Sequence, residues 1–299
     1  MEIVAGNDHR PARSMEALRD TSWRLSRQIL KMTTAAGSGH PSSSLSAIDI
    51  LTVLYFGGIM RYDPERPDWP ARDRFILSKG HGVPALYAVM AEAGYFDPDR
   101  LMNLRQLGSP LEGHPNMRAL PGIEASTGSL GQGLSIGLGH ALAARLDDLD
   151  YRVYVMLGDG ETDEGQVWEA TMAAAKFNAD NLTAILDYNG FQQTGPVAEV
   201  MPSLPPFVEK WRDFGWRVLE IDGHDLQDVC DALLEVQRMK DRPQIIVAHT
   251  KKGKGLSVFE RDDVNRKHGE PLTEEELRET LSELDERHER QTHEAIASS

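Results

Sequence analysis

Gly158-Asp159-Gly160, with Asn189 thirty positions beyond the aspartate, pairs one carboxylate with one amide oxygen. Hard oxygen ligands of this kind suit Mg²⁺ or Ca²⁺, and Mg²⁺ usually combines one or two protein ligands with phosphate oxygens rather than filling an all-protein cage. The pair therefore predicts a site for a metal-chelated diphosphate. Five short glycine-bearing segments recur along the chain: Ser38-Gly39-His40-Pro41, Ser78-Lys79-Gly80-His81-Gly82, Glu112-Gly113-His114-Pro115, Thr127-Gly128-Ser129-Leu130-Gly131-Gln132-Gly133, and the Gly-Asp-Gly region through Glu164-Gly165. A lone histidine after glycine is commonly a loop or capping residue. Together the five segments are far more specific than any one of them.

The elements that must carry these residues follow from periodicity. Residues 151–157 read as a buried strand and 168–177 as a helix, so Gly-Asp-Gly stands at a strand's carboxyl end. A second apolar strand at 182–186 delivers Asp187 and Asn189 to the same edge, where open parallel sheets bind ligands. Helical patterns at 15–35, 45–57, 83–93 and 130–146 fill the first half, the last with glycines that permit close packing. After a proline-rich connection at 196–206 come a helix at 207–214, a strand at 216–221, a helix at 226–239 and a strand at 244–248. This alternation predicts an α/β fold, a three-layer parallel sheet flanked by helices on both faces. Residues 250–265, with Gly253 and Gly255 among lysines, predict an exposed, mobile loop, and 273–294 a charged, solvated surface helix with i, i+4 pairs. The expected organisation is a flexible N-terminus at 1–14, one large domain at 15–272, and a charged C-terminal helix and tail at 273–299.

A net charge of −15 over 299 residues leaves no electrostatic footprint for nucleic acid or an anionic membrane. Cys230 is the one cysteine, so no intrachain disulfide forms, and its apolar helical setting makes it a small core residue. Residues 1–14 are polar and charged and do not read as a secretory signal, so a cytoplasmic protein is expected.

In order, spacing and flanking residues the five segments resemble the N-terminal half of transketolase over roughly residues 21–272, and specifically the split transketolases in which this half is a separate polypeptide. The resemblance implies a thiamine diphosphate-binding (diphosphate-domain) fold. Asp159, Asn189 and the Phe191 carbonyl would hold Mg²⁺, or Ca²⁺ or Mn²⁺ in its place, against the cofactor's phosphates, while Gly160 lets the backbone approach them. A cation and N–H groups at a helix start offset the diphosphate charge without a lysine cluster. Gly128 and Leu130 would line the cofactor's ring region. His40, His81, His114 and His268 would surround the two-carbon fragment, with His81 and His268 also touching the cofactor. Protons must move on and off sugar hydroxyls near neutral pH, which suits imidazole. Glu164 would join a carboxylate network that crosses a dimer interface towards the second cofactor. Four positions depart from the family pattern: Ser42, where glycine is frequent, Tyr188, where asparagine is common, and Arg266-Lys267, where bulkier apolar residues are expected.

The remaining histidines carry less. His140 and His224 have no matching context and read as structural, whereas His249 suits either a phosphate contact or a solvated loop. Asp187 reads as a partner orienting Asn189 or as a loop cap. The pyrimidine-binding and C-terminal domains of the family have no counterpart in the chain. The resemblance therefore implies a separate C-terminal subunit, an α2β2 heterotetramer, sugar phosphate substrates and no activity for this chain alone. Competing readings are the α subunit of a 2-oxoacid dehydrogenase decarboxylase, a deoxyxylulose-phosphate synthase fragment, and a non-catalytic relative. Three histidine segments argue against the first, because its chemistry does not need several groups handling sugar hydroxyls.

Overall fold

Local signals set the helix starts and stops in the computed structural model, which describes residues 11–260 and 266–297. The Ser14 hydroxyl accepts from the Ala17 N–H at 3.2 Å and opens α1 (Met15–Ala35). Pro41, whose missing N–H costs nothing in a first turn, begins α2 (Pro41–Phe56). Strand β1 (Arg74–Leu77) and α3 (Val83–Ala93) follow, and Gly94 ends α3 in the left-handed conformation at φ 97°. Then come α4 (Gln132–Leu146), β2 (Val153–Gly158), α5 (Gly165–Lys176) and β3 (Leu182–Tyr188). A small hairpin, β4 (Phe191–Gln192) and β5 (Gly195–Pro196), leads into α6 (Val197–Val200) and α7 (Phe207–Asp213). The chain continues through β6 (Arg217–Asp222), α8 (Leu226–Arg238), β7 (Gln244–His249), α9 (Ser257–Glu260) and α10 (Glu274–Ala297).

Five strands form one parallel sheet in the order β1-β2-β3-β7-β6. Alternate residues of β2 feed two cores: Tyr154 and Met156 face the side packed by α1, α2, α3 and α8, while Val153, Val155 and Leu157 face α4, α5 and α7. The expected three-layer α/β arrangement is therefore present. Among the described residues no helix is long and apolar enough to cross a membrane.

The structure departs from the sequence reading at several elements beyond shifts of a few residues at their ends. Strand β1 is an addition to it, because Arg74-Phe75-Ile76-Leu77 is only four residues long and follows a polar run. Helix α2 begins at Pro41 rather than at residue 45, since its serines are buried and bonded rather than looped out: Ser44 donates to the His40 carbonyl at 2.8 Å and Ser46 to Asp187 at 2.5 Å. Residues 251–260 are not an exposed loop, because Gly253, Gly255, Leu256 and Phe259 are buried; residues 261–265 lie outside the described residues, as do 1–10 of the expected flexible N-terminus. Nor is α10 simply solvated. Leu277, Thr280 and Leu284 are buried, Trp23 of α1 stacks on His288 with centroids 4.6 Å apart, and its indole N–H donates to Asp285 at 2.9 Å.

The α4 glycines perform the expected service unequally. A Cβ on Gly137 would lie 2.4 Å from Val155 Cγ2, whereas one on Gly139 would meet nothing within 4 Å. Gly137→Ala is expected to lower stability by about 1–3 kcal/mol through overpacking. Gly139→Ala, relieved of glycine's conformational entropy, is expected to raise it by about 0.5–1 kcal/mol. Urea unfolding of the two variants checks the pair, and equal midpoints would mean that α4 does not sit on β2 this closely.

Candidate active site

The ends of β2 and β3 build one pole of the site. Their register sets Gly158 beside Asp187, so Asp159 and Asn189 leave adjacent strands at the same edge. Asp159 is buried, with Oδ1 accepting from the Gly160 N–H at 2.9 Å and Oδ2 from the Gly190 N–H at 2.6 Å. Burial, reinforced by the neighbouring Asp187 charge, pushes its pKa up to about 7. Asn189 Oδ1 accepts from the Phe191 N–H at 3.1 Å, and its amide donates to Asp187 at 3.3 Å, so Asp187 does orient it. Gly160 admits a close neighbour, since a Cβ there would lie 2.4 Å from that of Gln192. Among the described residues no three His, Cys, Asp or Glu side chains gather as a metal cage. The donors expected from the sequence are instead one carboxylate that forms no ion pair among the described residues, one amide oxygen and one main-chain carbonyl. That set fits a hard divalent cation whose remaining ligands are phosphate oxygens.

Two buried groups behind this pole were missed in the sequence. The Lys79 ammonium donates to the Ser43 carbonyl at 2.9 Å and pairs with Asp187, which also accepts from Ser46 at 2.5 Å and from Thr250. Burial alone would raise the Asp187 pKa, but Lys79 and these hydroxyls hold it below the usual carboxylate range. Lys79 thus neutralises Asp187 and leaves Asp159 without a counter-ion of its own. Glu161 is the second group. It accepts from Ser78 and from the Gly131 and Gly158 N–H groups at 2.9 and 3.0 Å, tying the loop before α4 to the strand ends. Glu161 lies inside the Gly-Asp-Gly segment, and only its burial separates it from the exposed Glu164.

Three histidines form the second pole. His40 precedes α2, His81 lies in the turn after β1, and His268 comes from a short turn at Arg266–His268. Ring centroids are 5.2 Å apart for His40–His81, 5.2 Å for His40–His268 and 5.3 Å for His81–His268. Lys252 Nζ stands 2.7 Å from His268 Nδ1 and 5.4 Å from the centroid of the Phe191 ring, joining the two poles. An ammonium only donates, so Nδ1 accepts and the neutral ring of His268 carries its proton on Nε2. Ser42, the departure from the usual glycine, donates to the Lys267 carbonyl at 3.2 Å and so steadies the turn that carries His268.

Burial is the largest cause of depressed basicity in all three rings. With Arg105 it brings His40 to about 4, with Lys252 it brings His268 to about 3, and with Lys79 it takes His81 well below its usual value. All three are therefore neutral at pH 7 and can both accept and donate. His40 Nδ1 is buried with no partner among the described residues. His114 is exposed, its ring against Gly128, where a Cβ would lie 2.9 Å away. The shielded side of that ring and then the Arg105 charge lower its pKa. Arg105 bridges the segments of His40 and His114, donating to Ser38 at 2.7 Å and to the Gly113 carbonyl at 3.2 Å.

The other expected residues are less closely drawn in. Gly128 holds φ 136°, and Leu130 is partly exposed beside it. Glu164 is exposed at the start of α5, and among the described residues no hydrogen bond or ring contact joins it to the histidines. His140 uses its carbonyl to accept from Tyr151 at 2.9 Å, and His249 sits at the end of β7, 3.1 Å from Glu220. A cavity of about 1270 Å³ lies between α1, the end of β6 and the middle of α10, with Asp49, His224, His249 and Lys254 in its wall, and none of His40, His81, His114 and His268 lines it.

A family model described as the thiamine diphosphate binding domain of transketolase matches residues 25–292. The chain is 45% identical over 249 residues to a 6-deoxy-6-sulfo-D-fructose transketolase subunit of Clostridium sp. (strain MSTE9), covering 83% of this chain and 89% of that one. It is 40% identical over 273 residues to an apulose-4-phosphate transketolase subunit of Phocaeicola vulgatus, covering 91% and 95% respectively. Against human transketolase the identity is 42% over 278 residues, 92% of this chain but 43% of the human one. The crystal structure of transketolase from Campylobacter jejuni superposes with a TM-score of 0.84 at 31% identity, over 91% of this chain and 43% of that one.

Proposed function

The chain belongs to the transketolase family, as its N-terminal, thiamine diphosphate-binding subunit, and from that premise we propose how its residues divide the work. When bound, thiamine diphosphate supplies the carbon nucleophile that takes up and releases a two-carbon ketol unit. Asp159, Asn189 and the Phe191 carbonyl hold Mg²⁺, with Ca²⁺ or Mn²⁺ as substitutes, and Gly160 leaves room beside them. His81 and His268 would face the cofactor when it is bound, and Gly128 and Leu130 would border its ring. His40, His81, His114 and His268 move protons at the sugar hydroxyls. The observation that carries this reading is the trio of neutral imidazoles, which Lys252 links through the Phe191 ring to the strand edge where Asp159 is buried without an ion pair among the described residues. Glu164, exposed at the surface, is available to a carboxylate network with another subunit. Residues 15–272 constitute the diphosphate domain in this reading.

Two relatives matched along 89% and 95% of their own lengths are named as subunits, which supports a separate C-terminal partner chain in an α2β2 assembly. Their names place a sulfonated ketose and a ketose phosphate among the donors to try beside xylulose 5-phosphate. A cytoplasmic setting accords with a single, buried, unpaired cysteine. Ketol transfer to ribose 5-phosphate, measured with Mg²⁺ and thiamine diphosphate for this chain alone and mixed with the partner subunit, tests the assignment. Activity is expected only in the mixture. Full turnover by the single chain would refute the split arrangement, and a mixed complex that binds no cofactor would refute the site.

A further inference from the structure

Asp49, in the middle of α2, is buried and lies outside the site described above. Its Oδ1 accepts from Ser22 and from the Lys254 ammonium at 2.7 Å, and Lys254 also donates to Ser22 at 2.8 Å. Its Oδ2 lies 2.8 Å from His224 Nδ1. On the far side of that ring the Lys251 N–H donates to Nε2 at 2.9 Å, so Nε2 bears the lone pair and the proton sits on Nδ1, facing Asp49. One carboxylate therefore grips the same turn twice, by the main chain of Lys251 and by the side chain of Lys254. Burial would raise its pKa, but Lys254 and His224 hold it well below the usual carboxylate range.

The gripped turn needs holding. Gly253, Lys254 and Gly255 are all left-handed, at φ 72°, 57° and 69°, and a lysine resists that conformation as a glycine does not. Between the two anchors stands Lys252, whose ammonium meets His268 Nδ1.

We propose that Asp49 is a positioning residue: by fixing Lys251 through His224 and Lys254 through an ion pair, it sets the turn that holds Lys252 on His268. It faces neither the histidine cluster nor the Asp159 pole, so its effect passes through Lys252 to the tautomer and orientation of one imidazole. Arg287 of α10 also donates to the Lys254 carbonyl at 3.4 Å and to that of Gly255, which keeps the turn attached when Asp49 is altered. The consequence for turnover rests on the function proposed above; the geometric link does not.

The test uses ¹⁵N-histidine-labelled full-length chain, with the His268 ring signals assigned by their loss in His268→Gln, alongside kinetics of the assembled complex with thiamine diphosphate and Mg²⁺. Wild type is expected to show His268 in one tautomer, protonated on Nε2. In Asp49→Asn and Lys254→Met that ring is expected to average between tautomers. kcat is expected to fall about 10- to 100-fold, the scale of a small misplacement, with sugar KM little changed. Lys254→Arg, which keeps the charge, is expected to restore both readouts. If Asp49→Asn does not fold, Lys254→Met decides, because that side chain is 22% exposed. A retained single tautomer, or a scrambled one with wild-type kcat, would overturn the proposal. A scrambled tautomer in a complex whose wild type has no ketol transfer would uphold the link and sink the functional reading instead.

Discussion

Asp159→Asn is expected to cut Mg²⁺-dependent retention of thiamine diphosphate in the assembled complex by about 100-fold or more, while the cofactor-free chain gains stability relative to wild type as pH rises, from a start lowered by the loss of one of the two acceptors that serve the Gly160 and Gly190 N–H groups. Even residues that merely orient metal ligands cost about 10- to 100-fold when changed, so a charged ligand should cost no less. Stability moves the other way as pH rises because Asp159 is a buried carboxylate whose nearest strong cation, Lys79, is already spent on Asp187. The sign with pH follows from linkage. Its pKa rises from 3.8 in the unfolded chain to about 7 in the fold, so between those values the native state keeps a proton that the unfolded state has lost. The contribution of this group is fully present below pH 3.8 and disappears as pH rises through 7. Asp159→Asn, which cannot titrate, should therefore gain on wild type as pH climbs from about 4 to 8 with chelator present. Calorimetric titration of the complex checks retention, and urea unfolding at the two pH values checks the sign. Unchanged cofactor affinity would mean the cation is held elsewhere.

What the sequence disclosed about this pole and what it concealed have a common physical origin. Strands β2 and β3 were visible because unbroken apolar runs announce strands buried on both faces, and their shared edge followed from parallel topology. Asp159 and Asn189 were visible because short glycine-flanked segments at strand ends leave few alternative uses for their oxygens. Nothing in the sequence pairs Lys79 with Asp187, since they are 108 residues apart and their meeting depends on α2, β1 and β3 closing on one point. The same holds for Asp49: in the sequence it is one polar residue in a helical pattern, and only the folded chain brings Ser22, His224 and Lys254 to it. The described part of the 250–265 segment, up to residue 260, misleads for a related reason. Its lysines and glycines read as solvent-facing, yet Lys252 and Lys254 turn inward to His268 and Asp49 while Leu256 and Phe259 anchor the backbone. Charged groups that end up buried in pairs look, residue by residue, like surface.

His114→Ala is expected to lower kcat of the assembled complex by about 10²–10⁴-fold, the range for a lost acid–base group, with thiamine diphosphate binding and folding near normal. The structure explains why this histidine, rather than one of the clustered three, separates chemistry from architecture. His268 is held by Lys252 and His40 precedes the first turn of α2, so truncating either disturbs packing as well as proton transfer. The His114 ring is exposed and lies against Gly128, and the hydrogen bond from the Tyr87 hydroxyl at 3.3 Å ends on the His114 carbonyl and survives the substitution. Gly128 has no side chain to collapse into the space left behind. Arg105 would still bridge Ser38 and Gly113, so the loop should keep its course. A fall in kcat with cofactor affinity and melting temperature unmoved would make His114 a proton-transfer group. An unchanged rate would return it to the structural histidines, and a loss of cofactor in step with the loss of rate would place its ring against the cofactor rather than the sugar.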